Sequence, residues 1–235
     1  MSGLKYGVYQ VGSKYTFKYS VYATGKRTKL VSFWHDVPLS LSQDLWSFVA
    51  EIPKGSCAKM EVATDEPLTP IKQDLTRGGA LRFYPSRIHW NYGMLPQTWE
   101  DPTHQWPGLP GLSGDGDPLD VIEIGRKRCK IGGVYKVKVL GAFALIDDGE
   151  VDWKILAIRC DDEAADLLND VHDVDVLFPG ELKRIHDWFR DYKVPDGKPR
   201  NAYGFQGKAQ DAATAKHVIK QAHELYKNSR IQNVR

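Results

Sequence analysis

The sequence predicts a mainly β fold of the α+β class, a closed or sandwiched β-core with two helices from the C-terminal half packed on it. Three observations carry that expectation. Segments up to residue 160 alternate apolar and polar residues or are rich in β-branched and aromatic ones, and helical spacing of apolar residues appears only after residue 180. No low-complexity linker divides the 235 residues, so one domain over 1–235 is expected.

Strands are predicted at 15–23 (YTFKYSVYA), 29–34 (KLVSFW), 47–53 (SFVAEIP), 58–64 (AKMEVAT) and 80–85 (ALRFYP), separated by Gly, Pro or polar clusters. DVIEIG (120–125), GVYKVKVLGAFALI (133–146) and DWKILAIRC (152–160) continue the series. Leu182, Ile185, Phe189 and Tyr192 then recur at helical spacing until Pro195 stops the run. Ala215, Val218, Ile219, Ala222, Leu225 and Tyr226 define the second helix. Residues 100–118, loaded with Gly and Pro, read as a long loop that leads into an acidic run.

Composition excludes several classes of function. Basic and acidic residues nearly balance, 32 against 30, so no overall field selects nucleic acid or an anionic membrane as a partner. Cys57, Cys129 and Cys160 are odd in number and far apart, which suits reduced thiols better than a disulfide framework or a zinc site. The apolar run at 139–146 is too short to span a bilayer, and the first residues lack the apolar stretch of a secretion signal; a cytoplasmic protein is expected. Seven tryptophans read as core and interface anchors, with Trp99 and Trp106 in the long loop open to either a packing or a stacking role.

Chemistry is concentrated in GDGDPLDVIEIG (114–125), which carries Asp115, Asp117, Asp120 and Glu123. A solvated turn is the ordinary reading of such a run. An EF-hand loop fails, because its sixth position is Asp120 instead of Gly and its twelfth is Arg126 instead of Glu. A second cluster, Asp147, Asp148, Glu150 and Asp152, lifts the run above the turn reading. If 120–126 and 134–146 formed an antiparallel hairpin, partner numbers would sum to roughly 260 and Asp147 would lie level with the segment around Asp115. Carboxylates so gathered must take up protons or cations, and hard oxygen ligands select Mg²⁺, Mn²⁺ or Ca²⁺. A site for more than one divalent ion is expected.

Cations lie at strand period two from this acid. Lys154 follows Asp152 by two residues and Glu61 follows Lys59 by two, while Glu51 and Arg82 sit on neighbouring strands. With Tyr192 and Lys193 at the end of the first helix, they describe a cage for a small, highly charged anion, and phosphoanhydrides fit.

Taken in order, FWHDVPL, EIPKGSCAKMEV, PIKQD, LRF, NYGMLPQTWED, GDGDPLDV, DDGEVDWKILAI, FPG, WFRDYKVPDGKP and AYGF resemble the soluble inorganic pyrophosphatases of the first family, in their eukaryotic form. That resemblance implies a small closed OB-type β-barrel flanked by helices, several Mg²⁺ ions per site with Mn²⁺ or another divalent ion as a substitute, hydrolysis of pyrophosphate to two phosphates, and a homodimer. Residue by residue it implies that Asp115, Asp120, Asp152, Asp147 and Glu61 hold metal. Asp117 activates the attacking water, and Lys59, Arg82, Tyr92, Lys154, Tyr192 and Lys193 bind phosphate, with Glu51 and Asp74 as supporting carboxylates. The chain departs from the pattern at Ile88, where relatives carry a second tyrosine; Tyr84, Arg87 or nothing fills the vacated space, and Ile88→Tyr is expected to tighten substrate binding or leave it unchanged. Two rivals are weaker. A nucleic-acid OB module should show a basic groove with exposed aromatics. A phosphohydrolase of nucleotides or short polyphosphates fits the cage, but no nucleobase pocket is legible.

Overall fold

The computed structural model describes residues 6–42 and 44–229. Thirteen strands and three α-helices follow in order. The strands are β1 (Gly7–Val11), β2 (Ser20–Thr24), β3 (Leu30–Val31), β4 (Ser40–Ser42), β5 (Leu45–Ile52), β6 (Met60–Val62), β7 (Ile71–Gln73), β8 (Asn91–Met94), β9 (Asp120–Glu123), β10 (Val134–Asp147), β11 (Glu150–Arg159), β12 (Ala202–Tyr203) and β13 (Gln210–Asp211). The helices are α1 (Val171–Leu177), α2 (Glu181–Asp191) and α3 (Ala212–Asn228). One sheet runs β1-β2-β7-β6 with β3 beside β2, and the other runs β12-β10-β11-β9-β8-β5-β4 with β13 beside β10. Because β10 pairs with β5 as well as β11, strands β5, β8, β9, β11 and β10 pair in a cycle.

Mixed sheets with few helices agree with the expected class, and several expected elements shift. The segment at 80–85 is not a strand; its backbone pairing is confined to the isolated bridges Leu75–Leu81 and Ala58–Phe83 among the described residues. Strands β1, β4, β7, β8, β12 and β13 and helix α1 lie outside the expected elements. Helix α1 is short but well started, with Asp170 and Asp173 forming a capping box. Helix α2 ends at Asp191, and Pro195 lies in a separate 3₁₀ turn at Val194–Asp196.

The expected hairpin between 120–126 and 134–146 does not form. Strand β9 lies between β8, antiparallel to it, and β11, parallel to it, with Lys154 opposite Asp120. The partner of β10 is β11, and Asp147 pairs with Glu150. Asp148 (φ 49°) and Gly149 (φ 94°) make the two-residue turn between them, the positive-φ pair that a tight hairpin of this hand requires. The segment from 125 to 133 instead carries the chain to β5, where the N–H of Gly132 donates to Ala50 O and the N–H of Ala50 to Gly133 O.

Both faces of β11 are buried, and its period-two alternation sorts two cores. Val151, Trp153, Ile155 and Ala157 pack with Ala215, Val218, Ile219 and Ala222 of α3. Leu156 and Ile158 face the other core with Tyr92, Met94, Ile122, Ile185 and Phe189. Asp152 and Lys154 continue that second face toward its end. The polar residues therefore sit at one end of that apolar face.

Candidate active site

The acidic motif is threaded beside β11 by backbone contacts that leave no room for side chains. The N–H of Gly116 donates to Glu100 O (2.8 Å), the N–H of Glu100 donates to Asp117 O (2.9 Å), and the N–H of Val151 donates to Ser113 O (2.8 Å). A Cβ on Gly114 would run into the Glu100 backbone, and Gly116 turns at φ +94°; glycine answers both demands. Trp99 Nε1 donates to Gly116 O (3.0 Å) and pins the loop from the other side. Asp115 thereby meets Asp152, and Asp120 opens β9 level with Lys154.

The two acidic clusters do meet, by this route and not by the expected hairpin. Asp115, Asp117, Asp120, Asp147 and Asp152 line one cavity of about 150 Å³, together with Glu51, Glu61, Lys59, Arg82, Tyr92, Lys154, Tyr192 and Lys193. Of the predicted site residues only Asp74 stands behind the wall, where it accepts from Lys59 Nζ (3.0 Å) and Arg82 NH1 (2.8 Å). Lys154, 3% exposed, reaches Asp120 Oδ2 (2.5 Å), the Tyr92 hydroxyl (2.9 Å) and Asp152. Tyr92 donates to Asp120. Lys193 pairs with Asp147, which also accepts from the Tyr192 hydroxyl (2.9 Å), and Lys59 pairs with Glu61. Glu51 accepts the N–H of Val62 (2.7 Å) and so holds the strand that carries Glu61.

Sequence reasoning missed Glu100, Met94 and Phe189, and named Tyr84 only as a candidate for the space left at Ile88. Tyr84, Met94 and Phe189 line the cavity. Glu100 is buried, 15 residues upstream of Asp115, and its Oε1 accepts the N–H of Trp153 (2.9 Å). Its Oε2 and Asp152 Oδ1 are buried without a hydrogen-bond partner. Glu100, Asp115 and Asp152 each bring an oxygen within 4.8 Å of the others. Orphaned carboxylate oxygens in that grouping fit a hard divalent cation.

Ile88 favours the second of the two expected outcomes. It is fully buried in the core and does not line the cavity, so Ile88→Tyr cannot place a hydroxyl there. Arg87 is exposed and donates to Gly55 O (3.1 Å), and of the two named candidates Tyr84 is the one that lines the cavity. Ile88→Tyr is expected to lower thermal stability by about 1–3 kcal/mol through overpacking, with no gain in anion affinity; a melting curve beside a phosphate titration checks both.

Burial and charge crowding shift the acidities of these groups. Burial first, then Asp117 and Asp120, push the Asp115 carboxyl up to about 7. Burial first, then Glu61 and Asp120, push Asp117 up to about 7 as well. Glu100 and Asp152 are raised well above the ordinary carboxylate range, chiefly by burial. Burial alone would lower Lys154, yet Asp120 and Asp152 carry it well above the usual lysine value. For Asp115 and Asp117 the folded value exceeds the unfolded one near 3.8, so their contribution to stability is complete below that value and is lost as pH rises through about 7. The melting temperature of metal-free protein should fall between pH 5 and 8, and a divalent cation should restore it at pH 8. A flat profile in chelator would count against the crowding.

Residues 48–227 match the family model described as inorganic pyrophosphatase. The chain is 53% identical over 221 residues to the chloroplastic soluble inorganic pyrophosphatase 1 of Chlamydomonas reinhardtii, covering 94% of this chain and 78% of that one. Among solved structures it is similar to the type I inorganic pyrophosphatase of Toxoplasma gondii, with TM-score 0.91, 44% identity, and 95% and 99% of the two chains covered. It is likewise similar to the truncated vacuolar soluble pyrophosphatase of Trypanosoma cruzi in complex with PPi, with TM-score 0.90, 41% identity, and 95% and 90% covered. The acidic and basic walls described above thus stand in a chain that belongs to the inorganic pyrophosphatase family, hydrolases acting on pyrophosphate.

Proposed function

We propose that this chain hydrolyses inorganic pyrophosphate to two phosphates with Mg²⁺ as its cofactor, several ions per site. One observation carries the reading: a single cavity opposes carboxylates that fit hard cations to lysines, an arginine and tyrosines that fit phosphate oxygens. Asp115, Asp120, Asp152, Asp147 and Glu61 would hold the ions, with Glu100 behind Asp115 and Asp152. Bound divalent ions neutralise phosphate oxygens and acidify water. Lys59, Arg82, Lys154 and Lys193 meet the phosphates with charge, and Tyr92 and Tyr192 meet them with hydroxyls. Asp117, at the cavity mouth, takes the proton of the attacking water as its oxygen bonds to phosphorus and the bridging P–O bond breaks. Glu51 and Asp74 orient the walls.

The same reading takes the cyclic strand pairing as a small barrel of OB type, residues 1–235 as one domain, and the assembly as a homodimer. Exposed Val8, Tyr9 and Val11 on β1 suit an apolar contact between copies. Neither nucleic acid nor a membrane enters the reaction. Among the described residues no helix is long and apolar enough to cross a membrane. The Chlamydomonas relative is named as chloroplastic, which sets a plastid compartment beside the cytoplasmic one expected from the sequence.

Phosphate release from pyrophosphate, ATP and tripolyphosphate with Mg²⁺, repeated in chelator, tests the reading. Pyrophosphate should be cleaved fastest, Mn²⁺ should substitute, Ca²⁺ should inhibit because its looser geometry misplaces the reactants, and chelator should abolish turnover. Full activity in chelator, or preference for ATP, would overturn it.

A further inference from the structure

Beyond the cage lies a second cavity, of about 430 Å³, that shares Arg82 and Lys193 with the first. One wall is a small β-turn arm. Its base is the pair Asp74 and Arg82, joined where the N–H of Arg82 donates to Asp74 O (2.8 Å), and its tip closes where the N–H of Gly79 donates to Thr76 O (2.8 Å). Arg77 rides on that tip, exposed, and among the described residues it makes no ion pair. The facing wall follows α2. There Lys198 Nζ is held over the cavity by Asp148 Oδ2 (2.8 Å), which also lies 3.4 Å from Lys193 Nζ. Asp196 is the other carboxylate of the lining; Arg82 and Lys193 also pair with Asp74 and Asp147 behind it and Lys198 with Asp148, so Arg77 is the lining cation that carries no ion pair among the described residues. Arg77 and Lys198 lie outside the pyrophosphate cage and outside the roles assigned to it.

We propose that this cavity is an oxyanion subsite for the third phosphate of a linear inorganic triphosphate whose first two phosphates occupy the cage. The proposal rests on the pyrophosphate reading of the cage and extends it. Arg82 and Lys193 face both cavities, so an anion held by them in the cage has its next oxyanion group directed between Arg77 and Lys198. A guanidinium without a carboxylate partner has its hydrogen-bond donors available for such a group.

Calorimetric titration with imidodiphosphate and diimidotriphosphate, analogues whose bridges resist hydrolysis, tests this at fixed free Mg²⁺. Wild-type protein should bind both. Arg77→Ala with Lys198→Ala should weaken diimidotriphosphate about tenfold, as two partly exposed charged contacts allow, and leave imidodiphosphate within twofold. Each single variant should give part of the loss. The subsite is refuted if wild type binds only the diphosphate analogue, if the double variant binds the triphosphate analogue as wild type does, or if both analogues weaken equally. Failure of wild type to bind either analogue would instead refute the reading of the cage.

Discussion

Asp117→Asn is expected to lower kcat by about 10²- to 10⁴-fold, the range that removal of a positioned general base commonly gives. The substitution keeps the shape of the side chain and removes its capacity to accept a proton. Asp117 suits the task for reasons visible in the fold. Its backbone N–H donates to Asp115 Oδ1 (2.9 Å) and its carbonyl accepts the N–H of Glu100, so the residue is fixed while its carboxylate faces the cavity. Burial and the charges of Glu61 and Asp120 hold it near neutrality, at about 7, where a base couples readiness with driving force. Cations that neutralise Glu61 and Asp120 would act against that rise. The pH optimum of the variant should move upward, because hydroxide must then supply what the carboxylate did. Divalent-ion affinity should change much less than in Asp120→Asn. A kcat near the native one at neutral pH would make Asp117 a turn residue, and the base would have to be sought among the other carboxylates of the cavity.

How much of this site could be read from the chain depends on how local each cause is. Lys59 with Glu61 and Asp152 with Lys154 were legible because strand period two places such pairs on one face, and both pairs form. The pairing of β9 was not legible from the same rule, since a parallel neighbour such as β11 leaves no turn between the strands to read. The turn at Asp148–Gly149 did carry a signal: Asp-Gly between two apolar runs marks a hairpin, and reading the segment only as an acidic cluster hid it. Glu100 had no local signal. Its place beside Asp115 and Asp152 comes from the close backbone passage at Gly114, a tertiary contact. Strand β8 was overlooked because it is four residues long and buried throughout, without alternation to detect. Tyr84 enters the site through the register of an irregular segment, which propensity does not set.

Lys154→Met is expected to be the most damaging change to stability. Lys154 is 3% exposed, and its ammonium lies between Asp120 and Asp152 with the Tyr92 hydroxyl alongside. Methionine fills a similar volume but leaves two crowded carboxylates with no cation between them. Removal of one partner of a buried pair commonly costs about 3–5 kcal/mol, and for a chain of this length each kcal/mol moves the melting temperature by about 2–4 °C. A drop of about 6–20 °C at pH 8 without divalent ions follows. Its pH dependence separates this cause from lost packing. Burial already raises Asp152 well above its ordinary value, and Lys154 is the group that opposes the rise. Without the ammonium the folded carboxyl holds its proton more tightly still, and a group raised in this way contributes stability below its unfolded value that is lost as pH climbs through the folded one. The variant should therefore lie closest to wild type near pH 5 and fall away from it toward pH 8. Mg²⁺ should recover much of the loss at pH 8, because it supplies the missing positive charge. Turnover should stay low even in the recovered protein, since the phosphate contact is gone. Melting curves at pH 5 and 8, each with and without Mg²⁺, decide the matter: an equal drop under all four conditions would assign the effect to packing and remove Lys154 from the electrostatic frame of the site.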